Sequence, residues 1–279
     1  MSFLDHIAFC NACDLANFVP FRVGGRQLGW VRRDLLVALA EFPDTLVVGD
    51  DGVTLAPHLT SPLDRSRAMA TVARALSDDW RGEPYAVGAR FGESLFEIDR
   101  SCVHLFGVCA HGVHLNGFTR ESDDVSLWVP RRAADRGSYP GQLDNTVAGG
   151  QPANLGLRAN LIKECQEEAG IPSALAARAA LVGRLGYRMA FGGGMKRDVI
   201  FAYDLELPRD FTPRNRDGEV ADFRLLPAAR VLDIVENTDD FKFNCNLVLI
   251  DFFIRHGLLT AAHPDFAAIG ERLGRDAEP

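Results

Sequence analysis

Residues 149–171 read GGQPANLGLRANLIKECQEEAGI, and no other stretch limits the possible folds as much. A glycine pair follows an apolar run, a helical pattern follows the glycines, and Gly170 stops it. Glu164, Glu167 and Glu168 lie close together near the end of that helix. At spacings of three and four residues they share one helical face, with Glu167 and Glu168 about 100° apart on either side of Glu164. Leu157, Leu161 and Cys165 recur every fourth residue on a neighbouring face that can be buried. Like charges at this spacing repel by roughly 0.2–0.5 kcal/mol, and acids near a helix C-terminus oppose the macrodipole. A hard divalent cation bound by the carboxylate oxygens removes both costs. The competing reading is a plain solvated helix end.

The chain of 279 residues is long enough for one or two domains, and its 47% hydrophobic and 24% charged content is that of a globular protein. A net charge of −8 without a basic tract argues against a nucleic-acid partner. A phosphate ligand would then need a local basic patch or a metal. No apolar run reaches the roughly 18 residues of a membrane span, so no membrane partner is expected. The first twenty residues hold Asp5 and Asp14 and no lysine or arginine, unlike a secretory or transit segment. The six cysteines are scattered, and Cys10-x-x-Cys13 has no second pair. Both features lead us to expect a cytoplasmic protein with free thiols.

Before residue 149, the pattern gives helices over 1–18, 32–42 and 61–80, with glycine-turn hairpins around 24–25 and 49–52. Strands follow at 95–98, 103–108, 113–118, 126–129 and 142–148. His104, His111 and His114 are near one another in sequence, with His104 on a strand face and His111 in a turn. A zinc site would need further ligands in a tighter pattern. Beyond residue 171, strands are expected at 179–188, 199–207 and 219–226, and a mobile glycine loop at 191–197. Helices close the chain at 227–234, 244–256 and 265–273. This order predicts an α/β fold with a mixed sheet between helices, preceded by a small α+β domain. The boundary falls near residue 100, giving domains 1–100 and 101–279.

The opening stretch resembles the Nudix box, G-x5-E-x7-R-E-U-x-E-E-x-G-U, where U is a bulky apolar residue. Counted from Gly149, Glu164 stands at the glutamate after the arginine, Cys165 at the apolar position, and Glu167-Glu168 at the paired glutamates. Gly170-Ile171 closes the box. Two positions depart: Lys163 replaces the arginine, and Leu155 replaces the first glutamate, which leaves the number of bound ions open. LDNTVAGG, YDLELPRDFTPRNRDGEV and FNCNLVLIDFFIRHG look like a subgroup of Nudix hydrolases with an extra N-terminal domain, related to Nudix proteins associated with thiamine pyrophosphokinase.

The resemblance implies a Nudix α/β/α sandwich and a pyrophosphohydrolase acting on a small-molecule diphosphate. Thiamine diphosphate or a damaged analogue is one possible substrate. It further implies Mg²⁺ or Mn²⁺ held by Glu164, Glu167 and Glu168. A diphosphate repels nucleophiles, so hydrolysis needs cations and an activated water. Gly149 and Gly150 let backbone approach metal and phosphate, and Lys163 can fix a neighbouring glutamate. Glu219, opening a strand after a turn, is a candidate to orient water beside Glu168. Arg188, Lys196 and Arg197 are candidates for phosphate binding. The alternatives are a non-catalytic Nudix-fold sensor and a generalist acting on ADP-ribose or nucleotide sugars.

Overall fold

The structure is a computed structural model and describes residues 1–135 and 137–275. Helix α1 (Phe3–Cys10) starts at a capping box in which the Ser2 hydroxyl accepts from the Asp5 amide and the Asp5 carboxylate accepts from the Ser2 amide. Strands β1 (Phe18–Val23) and β2 (Arg26–Arg32) form a hairpin whose turn glycines, Gly24 and Gly25, both have positive φ. A one-turn helix α2 (Leu36–Leu39) leads to the hairpin of β3 (Leu46–Gly49) and β4 (Gly52–Leu55). These strands make one sheet in the order β2-β1-β4-β3, with β4 parallel to β1.

Helix α3 (Pro62–Leu76) has Ser61 as its N-cap and Pro62 in its first turn. It buries Met69, Val72 and Ala73 in a cluster with Phe21, Phe96 and Phe106. A two-stranded ribbon of β5 (Pro84–Val87) and β6 (Phe96–Asp99) adds Tyr85, Val87 and Ile98 to that cluster.

The next segment departs from expectation. Residues 103–108 are not a strand: Arg100–Leu105 is a 3-10 helix, capped by the Asp99 carboxylate on the Ser101 amide. Gly107 then turns the chain at φ 52°. The apolar alternation of Val103 and Leu105 looked like a strand, but the Asp-x-Ser cap decides the local backbone. Strand β7 (Cys109–Glu121) begins where a turn was expected. It pairs in parallel with β11 (Gly194–Glu206), which pairs with β10 (Ala180–Phe191). On its other edge β7 holds β9 (Val147–Gly150) along Gly112 to Leu115 and β8 (Asp124–Arg132) along Phe118 to Glu121. Strand β12 (Val220–Pro227) closes the sheet against β8, giving the order β10-β11-β7-β8-β12.

Helices α4 (Leu157–Ala169) and α5 (Ser173–Ala176) cover one face, where Leu161, Cys165 and Ala176 meet Val113, Leu115 and Phe201. Helices α6 (Ala228–Asn237), α7 (Cys245–Arg255) and α8 (Phe266–Arg272) cover the other, against Phe118, Leu185 and Ile200. The expected α/β/α sandwich with a mixed sheet is therefore present, after a smaller α+β part. Packing does not follow a single cut at residue 100. Phe3, Ile7 and Cys10 of α1 join the second core, while Cys102 to Val108 belong to the first. A linear reading of the chain cannot anticipate that its first helix docks on its last.

Two further points correct the sequence reading. Residues 191–197 are no mobile loop, because Gly192 and Gly193 make a tight turn and Met195 to Arg197 lie in β11. That hairpin is pinned to the 3-10 helix by a 3.0 Å bond between His104 Nε2 and the Gly192 carbonyl. All six cysteines are free, and no helix among the described residues is long and apolar enough to cross a membrane.

Candidate active site

The box residues are held where β9 runs into α4. Helix α4 ends at Gly170, whose φ of 63° gives the left-handed cap. Its apolar stripe, Leu161 and Cys165, faces the sheet and brings Glu164 and Glu168 against β9. Glu168 is buried, and its Oε2 accepts from the Ala148 amide at 2.8 Å. A Cβ at residue 149 would lie 2.5 Å from Glu164 Cγ, and a Cβ at residue 150 would overlap the Tyr85 hydroxyl. Glycine is thus required at both positions for closeness of approach rather than for φ. The Asn160 side chain donates to the Gly150 carbonyl at 2.8 Å and fixes the pair to the helix.

The electrostatics of this group are under-compensated. Lys163 Nζ lies 3.1 Å from Glu164 and 2.6 Å from Glu167, so it bridges two carboxylates. Burial pushes Glu168 well above the usual carboxylate range, with Glu164, Asp144 and Glu219 adding to it and the Ala148 amide opposing it. Burial also raises Glu164, against the pull of Lys163. Hard oxygen donors that are crowded, buried and short of positive charge fit a divalent cation.

Glu219 belongs to the same group. Its charge is felt at Glu164, Glu168 and Arg100, and its backbone is fixed by the Ala133 amide and the Asp217 carboxylate. Sequence reasoning missed Tyr85 and Arg100. Tyr85 comes from the ribbon of the first part and Arg100 from the 3-10 helix that follows it, Arg100 pairing with Glu83 at 3.0 Å and standing beside Tyr85. Nothing in the box spacing points to residues 49 and 64 positions upstream of Gly149.

The three cations expected at the phosphate lie elsewhere. Arg188 is exposed on strand β10. Lys196 projects to the opposite sheet face, 3.7 Å from Asp198 and over the Phe243 ring. Arg197 donates to the Leu28 carbonyl at 3.2 Å and docks the two sheets. The expectation failed because it placed these residues on a free loop, whereas strand pairing fixes their directions.

The same opposite face carries His114, Asp144 and Cys245, whose potential ligand atoms lie within 4.8 Å of one another. Asp144 already accepts from Arg132, the Asn145 amide and Cys245, each at 2.7–2.9 Å, with Lys242 at 3.8 Å. Its charge is met by two cations, so this cluster reads as a structural tie between residues 132–145 and α7. His104 and His111 do not join it: the first caps the 191–194 turn and the second lies beside Phe91 and Phe201.

A family model described as a domain of unknown function, DUF4743, matches residues 2–110. Two curated Arabidopsis thaliana proteins, Nudix hydrolase 20, chloroplastic, and Nudix hydrolase 24, chloroplastic, are each 38% identical to this chain over 97% of its length and 77% of theirs. The chain belongs to the Nudix hydrolase family. As a Nudix hydrolase it is a pyrophosphohydrolase, of a family that generally uses divalent metal ions and acts on small-molecule diphosphates. Among solved structures, DR0079 from Deinococcus radiodurans superposes with a TM-score of 0.46 at 20% identity, covering 61% of this chain and 99% of its own. The cytoplasmic placement does not stand. Both plant relatives are named as chloroplastic, and free thiols suit any reducing compartment.

The glycine contacts give a direct test. Gly149→Ala pushes a methyl group into Glu164 and is expected to weaken Mn²⁺ binding roughly 10–100-fold, the scale of a displaced ligand support. Mn²⁺ titration followed by electron paramagnetic resonance measures it; unchanged affinity would remove Glu164 from the ligand set.

Proposed function

We propose that this Nudix hydrolase cleaves the diphosphate of a small organic molecule, with Glu164, Glu167 and Glu168 holding Mg²⁺ or Mn²⁺. The observation that carries this reading is the packing of Glu164 against Gly149 and of Glu168 on the Ala148 amide, both in strand β9, with the charge of Glu219 acting on both carboxylates while Lys163 bridges only Glu164 and Glu167. A divalent ion, when bound, neutralises the diphosphate oxygens and lowers the pKa of a bound water.

The protein's own groups perform the remaining tasks. Lys163 holds Glu164 and Glu167 in one arrangement. The Gly149-Gly150 end of β9 lets Glu164 and the Tyr85 hydroxyl pack directly on the backbone beside the carboxylates. Glu219 orients the attacking water and accepts its proton, with Glu168 placed to share that role. Water attacks one phosphorus, the bond to the bridging oxygen breaks, and the leaving monophosphate takes the electron pair. Arg100, beside Tyr85 and within the field of Glu219, supplies the fixed positive charge first sought in Arg188, Lys196 and Arg197.

For the organic half, thiamine diphosphate and its damaged analogues are the first candidates, on the resemblance of LDNTVAGG and FNCNLVLIDFFIRHG to the subgroup described above. The test is release of phosphate from thiamine diphosphate and its oxidised analogues and of AMP from ADP-ribose, in competition, with Mg²⁺ or Mn²⁺. Preference for a thiamine-type substrate is the expected result. Preference for ADP-ribose would replace that substrate, and no metal-dependent release from any of them would count against this set of substrates.

A further inference from the structure

A cavity of about 220 Å³ lies between residues 88–94 of the first part and residues 151–157 at the entry to α4. Tyr85, Phe91, His111, Gln151, Leu155 and Leu157 are in its lining. Three features give it chemistry. Phe91 is 42% exposed although its ring is held edge-on to His111 at 5.0 Å and against Phe201 at 4.7 Å. An aromatic face that is both fixed and uncovered is a stacking platform. Gln151 is buried, and its Nε2 donates to the carbonyls of Pro152 and Leu155 at 3.1 and 2.6 Å. Those two bonds set the amide in one orientation and leave Oε1 buried with no hydrogen-bond partner in the structure, a cost that an incoming N–H donor would relieve. Leu155, at the box position where the family has an acid, supplies apolar wall here. His111 adds no charge, because burial pulls it down to about 4.

The cavity adjoins the carboxylates. Gln151 follows Gly150 directly, and the Tyr85 hydroxyl that abuts Gly150 belongs to the wall common to both. The 88–94 segment is preformed: the Glu93 carboxylate accepts from the Ala89 amide at 2.7 Å and from Arg26 at 2.7 and 3.0 Å. An apolar cavity of about 150 Å³ holds one benzene ring, so this one suits a single substituted ring better than a whole nucleoside.

We infer that this cavity receives the organic half of the substrate as one flat heteroaromatic ring, stacked on Phe91, with an N–H donor directed at Gln151 Oε1. The inference rests on the proposed reaction for its diphosphate end, and the first part of the chain then selects substrate by supplying Phe91 and Tyr85.

The test is equilibrium binding by calorimetry in the Glu168→Gln background, which slows turnover, with Mg²⁺ present. The probes are thiamine diphosphate, which carries an aminopyrimidine ring, and isopentenyl diphosphate, which carries none. The ring-bearing probe is expected to bind at least about tenfold more tightly, and Phe91→Ala and Gln151→Leu each to cut that ratio by about tenfold, as loss of one stacking or hydrogen-bonding contact does. Val37→Ser, on the exposed surface of α2, is expected to leave the ratio unchanged. Equal affinities for the two probes, no measurable binding of the ring-bearing one, or an unchanged ratio in Phe91→Ala overturns the inference. Phosphate release by the wild-type protein is scored separately. Release with an unchanged ratio refutes the cavity alone, and a shifted ratio without release refutes the reaction alone.

Discussion

Glu168→Gln is expected to lower metal-dependent phosphate release by on the order of 10²–10⁴-fold, the span associated with losing a positioned acid–base group, and to leave the fold intact. The two halves of this expectation have separate causes. The Ala148 amide donates to Glu168 Oε2 at 2.8 Å, and a glutamine carbonyl oxygen can accept the same bond in the same volume. The charge that would bind a cation is lost outright. Thermal unfolding alongside a phosphate assay checks both. A folded variant with undiminished turnover would remove Glu168 from the chemistry, whereas a collapsed fold would show that the carboxyl is needed for packing. Glu167, with 45% of its side chain exposed and held by Lys163, is expected to respond less steeply.

The largest stability effect is expected at Asp144. Its carboxylate is buried and bonded to Arg132 at 2.7 Å, with both side chains under 10% exposed. Asp144→Ala leaves the Arg132 guanidinium buried without its counter-charge, and Cys245 and the Asn145 amide without their acceptor. Breaking such a pair from one side costs about 3–5 kcal/mol, which lowers the melting temperature by on the order of 10 °C in a chain of this size. The deficit has a defined pH dependence. Burial alone would raise Asp144, but Lys242, His114 and Arg132 outweigh it and hold the group below its ordinary value. A depressed carboxylate stabilises the fold above its unfolded pKa, and that contribution is lost as pH falls through the folded pKa. The gap between wild type and Asp144→Ala should therefore be full near neutral pH and shrink in acid below the usual aspartate range. Melting curves at neutral and acid pH test this; a gap that widens in acid would contradict it.

The sequence revealed the site unevenly, and the reasons are physical. Glu164, Glu167 and Glu168 could be placed because helical periodicity fixes relative directions within one element. Gly149 could be placed because a glycine at a strand–helix junction signals close approach. Tyr85, Arg100 and Phe91 could not, because their relation to the box depends on how the two parts of the chain dock, which no local spacing encodes. Lys196 and Arg197 were misassigned for the reverse reason. Read as loop residues they could point anywhere, yet two glycines at positive φ make the turn tight enough to commit both side chains to strand directions. The 103–108 segment shows the same limit: apolar alternation competed with an Asp-x-Ser cap, and the cap prevailed.

The docking of α1 bears on how this protein is made. His6 bonds to the Val235 carbonyl at 2.8 Å and to Asn246 at 3.0 Å, across a sequence separation of 240 residues in the second case. A ribosome adding ~5–20 residues per second needs roughly 12–48 s to cover that distance. Throughout that interval Phe3, Ile7 and Cys10 have been synthesised but lack their partners on α7 and α8, while the β1–β4 sheet can already close. Helix α1, made well before α7, thus completes its docking only when α7 arrives, and until then part of its apolar face is open to chaperones or neighbouring nascent chains.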